Sequence, residues 1–191
     1  GLGDVYKRQI TASISYAQRI QFNLLPNEQL FDEHFKDHFI MFSPKDIVSG
    51  DFYWMQKIED KLVLVLGDCT GHGVPGAFMT LLGINLLNNI VLEARLTEPG
   101  MILNELDKRL EGYFSSSGKI VMSDGMELTV CVIDDKKDEI AYACAGSRFL
   151  IYGKDGFTLF KVNSEHHGFD KKSNFAGYLT LYTNLALDDI L

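Results

Sequence analysis

The sequence predicts an α+β fold of two mainly antiparallel sheets with helices packed outside. Three observations carry this. Residues 52–58 and 61–66 are two runs rich in aromatic and β-branched side chains, separated only by Glu59-Asp60. Residues 127–162 break into short apolar runs at hairpin spacing. Between these two blocks lie two stretches of helical periodicity. Strands joined by tight turns pair antiparallel, and helices segregated from them are the mark of an α+β chain.

The chain begins with Gly1–Gln9, which resembles translated adapter read-through and is expected to be a non-native segment that carries no information on the fold. Residues 10–26 follow, with Ile10, Ile14, Ala17, Ile20, Leu24 and Leu25 at helical spacing and Pro26 as the stop. This helix either packs on the domain or ends a signalling helix arriving from upstream. Phe31, Phe35, Phe39, Ile40 and Phe42 are candidate core residues, with a strand near residue 40. His34 and His38, four apart, could pair on a metal if helical, but no third ligand accompanies them. Ser43-Pro44-Lys45-Asp46 reads as a turn.

If Glu59 and Asp60 form a two-residue loop, Ile58 pairs with Lys61, and counting outward sets Asp51 opposite Asp68. Opposed residues on an antiparallel pair have Cβ atoms about 4.5–5.5 Å apart, where two carboxylates repel. A divalent cation between them is the natural remedy.

After Asp68 come Gly71, Gly73 and Gly76, which let backbone approach a ligand closely. Pro75 suits the first turn of a helix. Residues 76–92 carry a broad apolar face that includes Phe78, with Gly83 marking a close contact. Thr97 is a candidate N-cap for a second helix, with Pro99 near its start, an apolar stripe of Ile102, Leu103, Leu106 and Leu110, and Gly112 at its end. Residues 115–119 read as a flexible loop. Strands are expected at 127–133, 139–145, 148–152 and 157–162, then polar irregular chain, then another strand at 175–182.

Composition excludes some functions. A net charge of −8 and a pI near 5 argue against a nucleic-acid binder, which needs Lys and Arg against phosphate. Cys69, Cys131 and Cys144 are odd in number and lack CxxC spacing, as expected of reduced thiols in a cytoplasmic protein. No run reaches the roughly 20 apolar residues of a membrane span.

Three chemistries fit two acids beside glycines. A glycosidase pair would need a sugar cleft, which is not legible. A phosphate-cradling loop would need the Lys-Ser/Thr of a P-loop, and a carboxylate in the loop would repel phosphate. Hard divalent cations, Mg2+ or Mn2+, satisfy both the acids and the glycines.

Ser49-Gly50-Asp51-Phe52-Tyr53 together with Gly67-Asp68-Cys69-Thr70-Gly71-His72-Gly73-Val74-Pro75-Gly76-Ala77 resembles the PPM-type (PP2C-like) serine/threonine phosphatases of the bacterial SpoIIE/RsbU branch. Ala17–Gln21, Leu24-Leu25-Pro26, Asp124-Gly125-Met126 and Ala145-Gly146 extend the resemblance over residues 13–191. It implies an αββα sandwich with a binuclear Mn2+ or Mg2+ site between the sheets. By the resemblance Asp68 bridges the two ions, Cys69 offers its backbone carbonyl, Asp51 joins directly or through water, and Asp124 is an accessory ligand. His72 is expected to support the site, with general-acid chemistry the sharper reading. The implied substrate is a phosphoserine or phosphothreonine, on a STAS-domain antagonist of an anti-sigma factor. A sensor domain upstream in the same chain is implied, and a homodimer is left open.

The family's late Thr/Ser-Asp-Gly and Asp-rich motifs are missing. Tyr182-Thr183-Asn184 resembles the first only superficially, and Asp188–Leu191 fits the strand leading into it. Residues 27–191 are therefore expected to be a phosphatase domain incomplete at its C-terminus, which binds metal poorly and is nearly inactive by itself. The competing readings are a pseudophosphatase or regulatory binding module, and a nucleotidyl cyclase, for which no purine-recognition set is found.

Overall fold

A computed structural model describes residues 2–115, 125–137, 139–146, 148–153, 156–161 and 181–183. Helices α1 (Leu2–Phe22) and α2 (Glu28–Asp32) lead into strands β1 (Asp51–Ile58) and β2 (Lys61–Cys69). Helix α3 (Gly73–Leu87) runs into a π-helical segment, Asn88–Glu93, and α4 spans Pro99–Ser115. Strands β3 (Met126–Asp134), β4 (Glu139–Ala145), β5 (Arg148–Gly153), β6 (Gly156–Lys161) and β7 (Leu181–Thr183) follow. Among the described residues all pairings are antiparallel, in a five-stranded sheet of order β1-β2-β3-β4-β7 and a two-stranded sheet β5-β6. Helices outside antiparallel sheets are the α+β arrangement the sequence predicts.

The two faces of the large sheet divide the core. Phe52, Trp54, Val63, Val65, Leu128, Val130, Val132 and Ala143 face α3 and α4 and are buried with Ile84, Leu87, Ile102, Leu106 and Leu110. Met55, Leu62, Ile133 and Ile140 occupy the other face with Phe31. A sheet apolar on both faces needs cover on both, so its strands read as nearly continuous apolar runs rather than alternating ones. The single Trp54 donates its indole N–H to Asn88 Oδ1 at 3.0 Å, which joins β1 to the start of the π-helical segment.

Several sequence expectations need correction. α1 ends at Phe22, not Pro26; Asn23, Leu24 and Leu25 close its end by bonding back to Arg19, Gln21 and Phe22. Of its expected stripe, Ile10, Ile20 and Leu24 are exposed. At its other end α1 takes in Gly3–Gln9.

No strand forms near residue 40 among the described residues. Side chains alternate there, with Phe39 at 89% and Met41 at 88% exposure, but no neighbouring strand supplies a ladder. Phe39 is thus no core residue, whereas Phe42 sets its ring edge-on to Phe22 and Tyr53. α2, which the sequence reading passed over, is capped by Asn27, whose Oδ1 accepts the Leu30 N–H at 3.0 Å. It stops at Asp32, so His34 and His38 share no helix; His38 stacks on Phe31 instead.

Phe78 is 67% exposed, so the α3 face is narrower than its composition suggests. The run Gly73–Glu93 is long and apolar enough to cross a membrane by length and composition, contrary to the run-length reading. Over half of it is buried inside the fold, the environment of a core helix. α4 is capped by Glu98, not Thr97: the Glu98 carboxylate accepts the N–H groups of Gly100 and Met101 at 3.3 and 2.6 Å. The α4 helix also continues through Gly112 to Ser115. The expected loop at 116–119 and the chain at 162–180 and 184–191 lie outside the described residues.

Candidate metal centre

The β1–β2 register is the one that the two-residue loop predicts: Ile58 pairs with Lys61, and Asp51 with Asp68. Glu59 takes a left-handed backbone (φ 57°) to make the turn. Both aspartates are exposed at the far end of the hairpin. Among the described residues neither has a cationic partner. Partial burial raises the Asp51 carboxyl above its ordinary value, and a hydrogen bond and charge repulsion from Asp68 add to the rise. The Asp68 carboxylate thus disfavours ionisation of Asp51 opposite it.

The backbone around the pair is closely fitted. Gly50, just before Asp51, lies under the loop after Asp68: a Cβ there would stand 2.8 Å from the Gly71 carbonyl oxygen and 3.2 Å from that of Cys69. Gly76, in the first turn of α3, is under the same Gly71 carbonyl at 2.7 Å. The Cys69 N–H donates to the Gly50 carbonyl at 3.2 Å. Thr80 on α3 donates to the carbonyls of Ser49 and Gly50, at 3.1 and 2.8 Å. Glycines at 50 and 76 are therefore required by contact, and they let helix, loop and strand meet at one point.

Thr70 fixes the other side of the loop. Its N–H donates to the Gly125 carbonyl at 2.9 Å, and its hydroxyl accepts the Gly125 N–H at 3.0 Å. His72 occupies the N-cap position of α3, with Nδ1 2.7 Å from Asp46 Oδ2. The carboxylate fixes the orientation of the ring and joins the turn before β1 to the start of α3. Burial pushes the Cys69 thiol up to about 12, so it stays protonated and is no nucleophile near neutral pH. Asp124 lies outside the described residues.

Sequence reasoning brought together Asp51, Asp68 and Cys69. It missed Gln21, whose side chain is buried and bonds both backbone groups of Ser49. One signal was present: Gln21 takes the next place in the Ile10, Ile14, Ala17 spacing, a polar residue where the stripe calls for an apolar one.

The donor set suits a hard cation. Two directly opposed carboxylates have the charge and the oxygen ligands that Mn2+ or Mg2+ requires. Among the described residues no three His, Cys, Asp or Glu side chains converge on one point.

The family model of Stage II sporulation protein E (SpoIIE) matches residues 58–167. The chain belongs to the SpoIIE family. No curated protein gives a significant match. Among solved structures, the SiaA PP2C domain of Pseudomonas aeruginosa is 27% identical, with a TM-score of 0.78 over 95% of this chain and 69% of that one. The RsbU and RsbW domains of a Mycobacterium tuberculosis protein are 22% identical, with a TM-score of 0.56 over 77% of this chain and 38% of that one. RsbX in complex with magnesium is 14% identical, with a TM-score of 0.53 over 72% of this chain and 61% of that one. These last two likenesses are of fold. This SpoIIE-family chain therefore has the PP2C-like phosphatase fold.

Proposed function

We propose that this SpoIIE-family domain is a metal-dependent protein serine/threonine phosphatase of bacterial partner-switching signalling, acting in the cytoplasm. The observation that carries the reading is the Asp51–Asp68 pairing in a PP2C-like fold, with the Asp51 carboxyl raised by burial and by Asp68 opposite it.

Asp68 would bridge two ions, Asp51 and the Cys69 carbonyl would complete its side of the site, and Asp124 would serve an accessory ion. When bound, Mn2+ or Mg2+ supplies Lewis-acid chemistry and a water activated for in-line attack on phosphorus. The chain's own contribution is placement. Thr80 and Gly50 hold the entry to β1 against the loop after Asp68, and Thr70 holds that loop against Gly125. The substrate is proposed to be a phosphoserine or phosphothreonine on a STAS-domain regulator, and α1 is proposed to link the site to an upstream sensor.

The test is phosphate release from a phosphoserine protein with and without Mn2+, in the wild type and in Asp68→Asn. Metal-dependent release that falls on the order of 10²-fold in the variant supports the reading. Equal release by both rejects the bridging role. The alternative reading is a regulatory binding module without catalysis. Tight binding of the phosphoprotein with no release by the wild type would select it.

A further inference from the structure

The acidic pairing does not stop at two strands. In the β2–β3 ladder Asp68 is directly opposite Glu127. Opposed residues share a face, so Asp51, Asp68 and Glu127 form one row across β1, β2 and β3, on the face away from α3 and α4. The next rank, Phe52, Gly67 and Leu128, points to the helices. Adjacent members of such a row have Cβ atoms about 4.5–5.5 Å apart, and like charges there destabilise the sheet.

Glu127 is exposed, and among the described residues it has neither a cation nor a hydrogen-bond donor as partner. Its side chain lies against Gly146, where an added Cβ would stand 2.8 Å from Glu127 Cγ and 3.1 Å from Cδ. Gly146 has a left-handed backbone (φ 73°) and no side chain, so the glutamate keeps a place of its own beside the pair. The Thr70–Gly125 bonds fix the start of β3 to the loop after Asp68, two residues before Glu127.

We propose that Glu127, next in the row to Asp68 but not converging with the pair on one point, is a positioning residue for the divalent cation. It adds its charge to those of Asp51 and Asp68 and accepts hydrogen bonds from the ion's hydration shell. This rests on the reading of Asp51 and Asp68 as a cation site. Nothing in the spacing of the sequence motifs singles Glu127 out; only the second ladder aligns it.

The test is a titration of the intact chain with Mn2+, followed by the electron paramagnetic resonance signal of the free ion. Wild type, Glu127→Gln, Glu127→Asp, Asp68→Asn and Glu139→Gln are compared, with far-UV circular dichroism to confirm folding. Glu139 lies at the opposite end of the sheet, paired with Asp134, and serves as the control. Loss of a group that supports a metal's ligands costs about 10–100-fold in affinity, so Glu127→Gln should bind about tenfold more weakly. Glu127→Asp should recover most of that loss, Glu139→Gln should match the wild type, and Asp68→Asn should lose binding. Wild-type affinity in Glu127→Gln, or no difference between Glu127→Asp and Glu127→Gln, overturns the Glu127 role and leaves the metal site standing. A wild type that takes up no Mn2+, or binding undiminished in Asp68→Asn, overturns the metal site itself and Glu127 with it.

Discussion

Gln21 meets Ser49 with both ends of its amide. Nε2 donates to the Ser49 carbonyl at 2.6 Å, and Oε1 accepts the Ser49 N–H at 2.8 Å. Both residues are buried. Ser49 in turn accepts the Asp51 N–H on its hydroxyl at 3.0 Å, and its carbonyl also accepts from Thr80. One backbone position thus gathers α1, α3 and the strand that carries Asp51.

Removing the amide should be costly. Gln21→Ala leaves the buried Ser49 N–H without its acceptor, a loss of about 1–3 kcal/mol. The measurement is the urea midpoint, with an unchanged slope. Gln21→Glu should be worse, because it keeps the acceptor but sets a carboxylate against the Ser49 carbonyl. A midpoint equal to wild type in Gln21→Ala would show that α1 is not held through this pair.

The Asp51–Asp68 pair makes stability depend on pH. The folded state raises the Asp51 pKa, so it binds a proton that the unfolded chain has already released above the ordinary value of 3.8. Stability of the metal-free protein should therefore fall as pH rises from that value through the raised one, with the penalty fully present above it. Asp51→Asn should stabilise the metal-free protein at neutral pH and match it below about pH 4. The carboxyl is largely exposed, so solvent screening keeps the gain under about 1 kcal/mol. Mn2+ should reverse the order by stabilising wild type more than Asp51→Asn. Thermal melts from pH 3 to 8, with and without the ion, decide this.

How much of this centre was legible follows from the range of the interactions. The hairpin is local, and a two-residue turn at Glu59-Asp60 fixes its register, so Asp51 opposite Asp68 could be counted off the sequence. Glu127 could not, because the β2–β3 pairing joins segments separated by two helices and nothing local sets that register. Gln21 reaches Ser49 across 28 positions, and periodicity reports only a polar break in an apolar stripe. Phe39 and Phe78 were misplaced for the opposite reason: hydrophobicity says what a side chain prefers, not whether a neighbour is there to cover it. The helix ends slipped because Glu98 outcompeted Thr97 as a cap, and because Gly112 can continue a helix at a modest cost.

That cost can be recovered. A Cβ at Gly112 would meet nothing within 4 Å, so Gly112→Ala should stabilise the protein by about 0.5–1 kcal/mol through helix propensity alone. Gly67 is the contrasting case. The Phe52 ring lies over it, 2.3 Å from where a Cβ would stand, and the same ring is 3.2 Å from the Cβ position of Gly83 on α3. Phe52 is thus seated between a strand glycine and a helix glycine, next to Asp51. Gly67→Ala should destabilise by about 1–3 kcal/mol as the ring is driven off its seat. Part of that loss should return in the double variant with Phe52→Leu, which would show coupling in a double-mutant cycle. Additive effects would mean that the ring is not what the methyl strikes.

Asp107 provides a pH signature away from the centre. It lies half-buried on α4, one turn before Glu111. Burial first, and the Glu111 charge second, push its carboxyl up to about 7. An acid whose pKa is raised on folding weakens the protein as pH climbs from its ordinary 3.8 toward about 7, because the unfolded chain ionises first. Asp107→Asn should therefore match wild type near pH 4 and exceed it above pH 7. With its exposed side screened by water, the gain should be on the order of 1 kcal/mol. Glu111→Gln should produce a smaller gain of the same sign, since it removes only the second cause. Because both residues are on α4, which packs on the sheet face opposite the one carrying Asp51 and Asp68, both variants should leave the Mn2+ titration unchanged. Equal stability of Asp107→Asn and wild type at pH 8 would show that the α4 carboxylate is solvated in the folded protein.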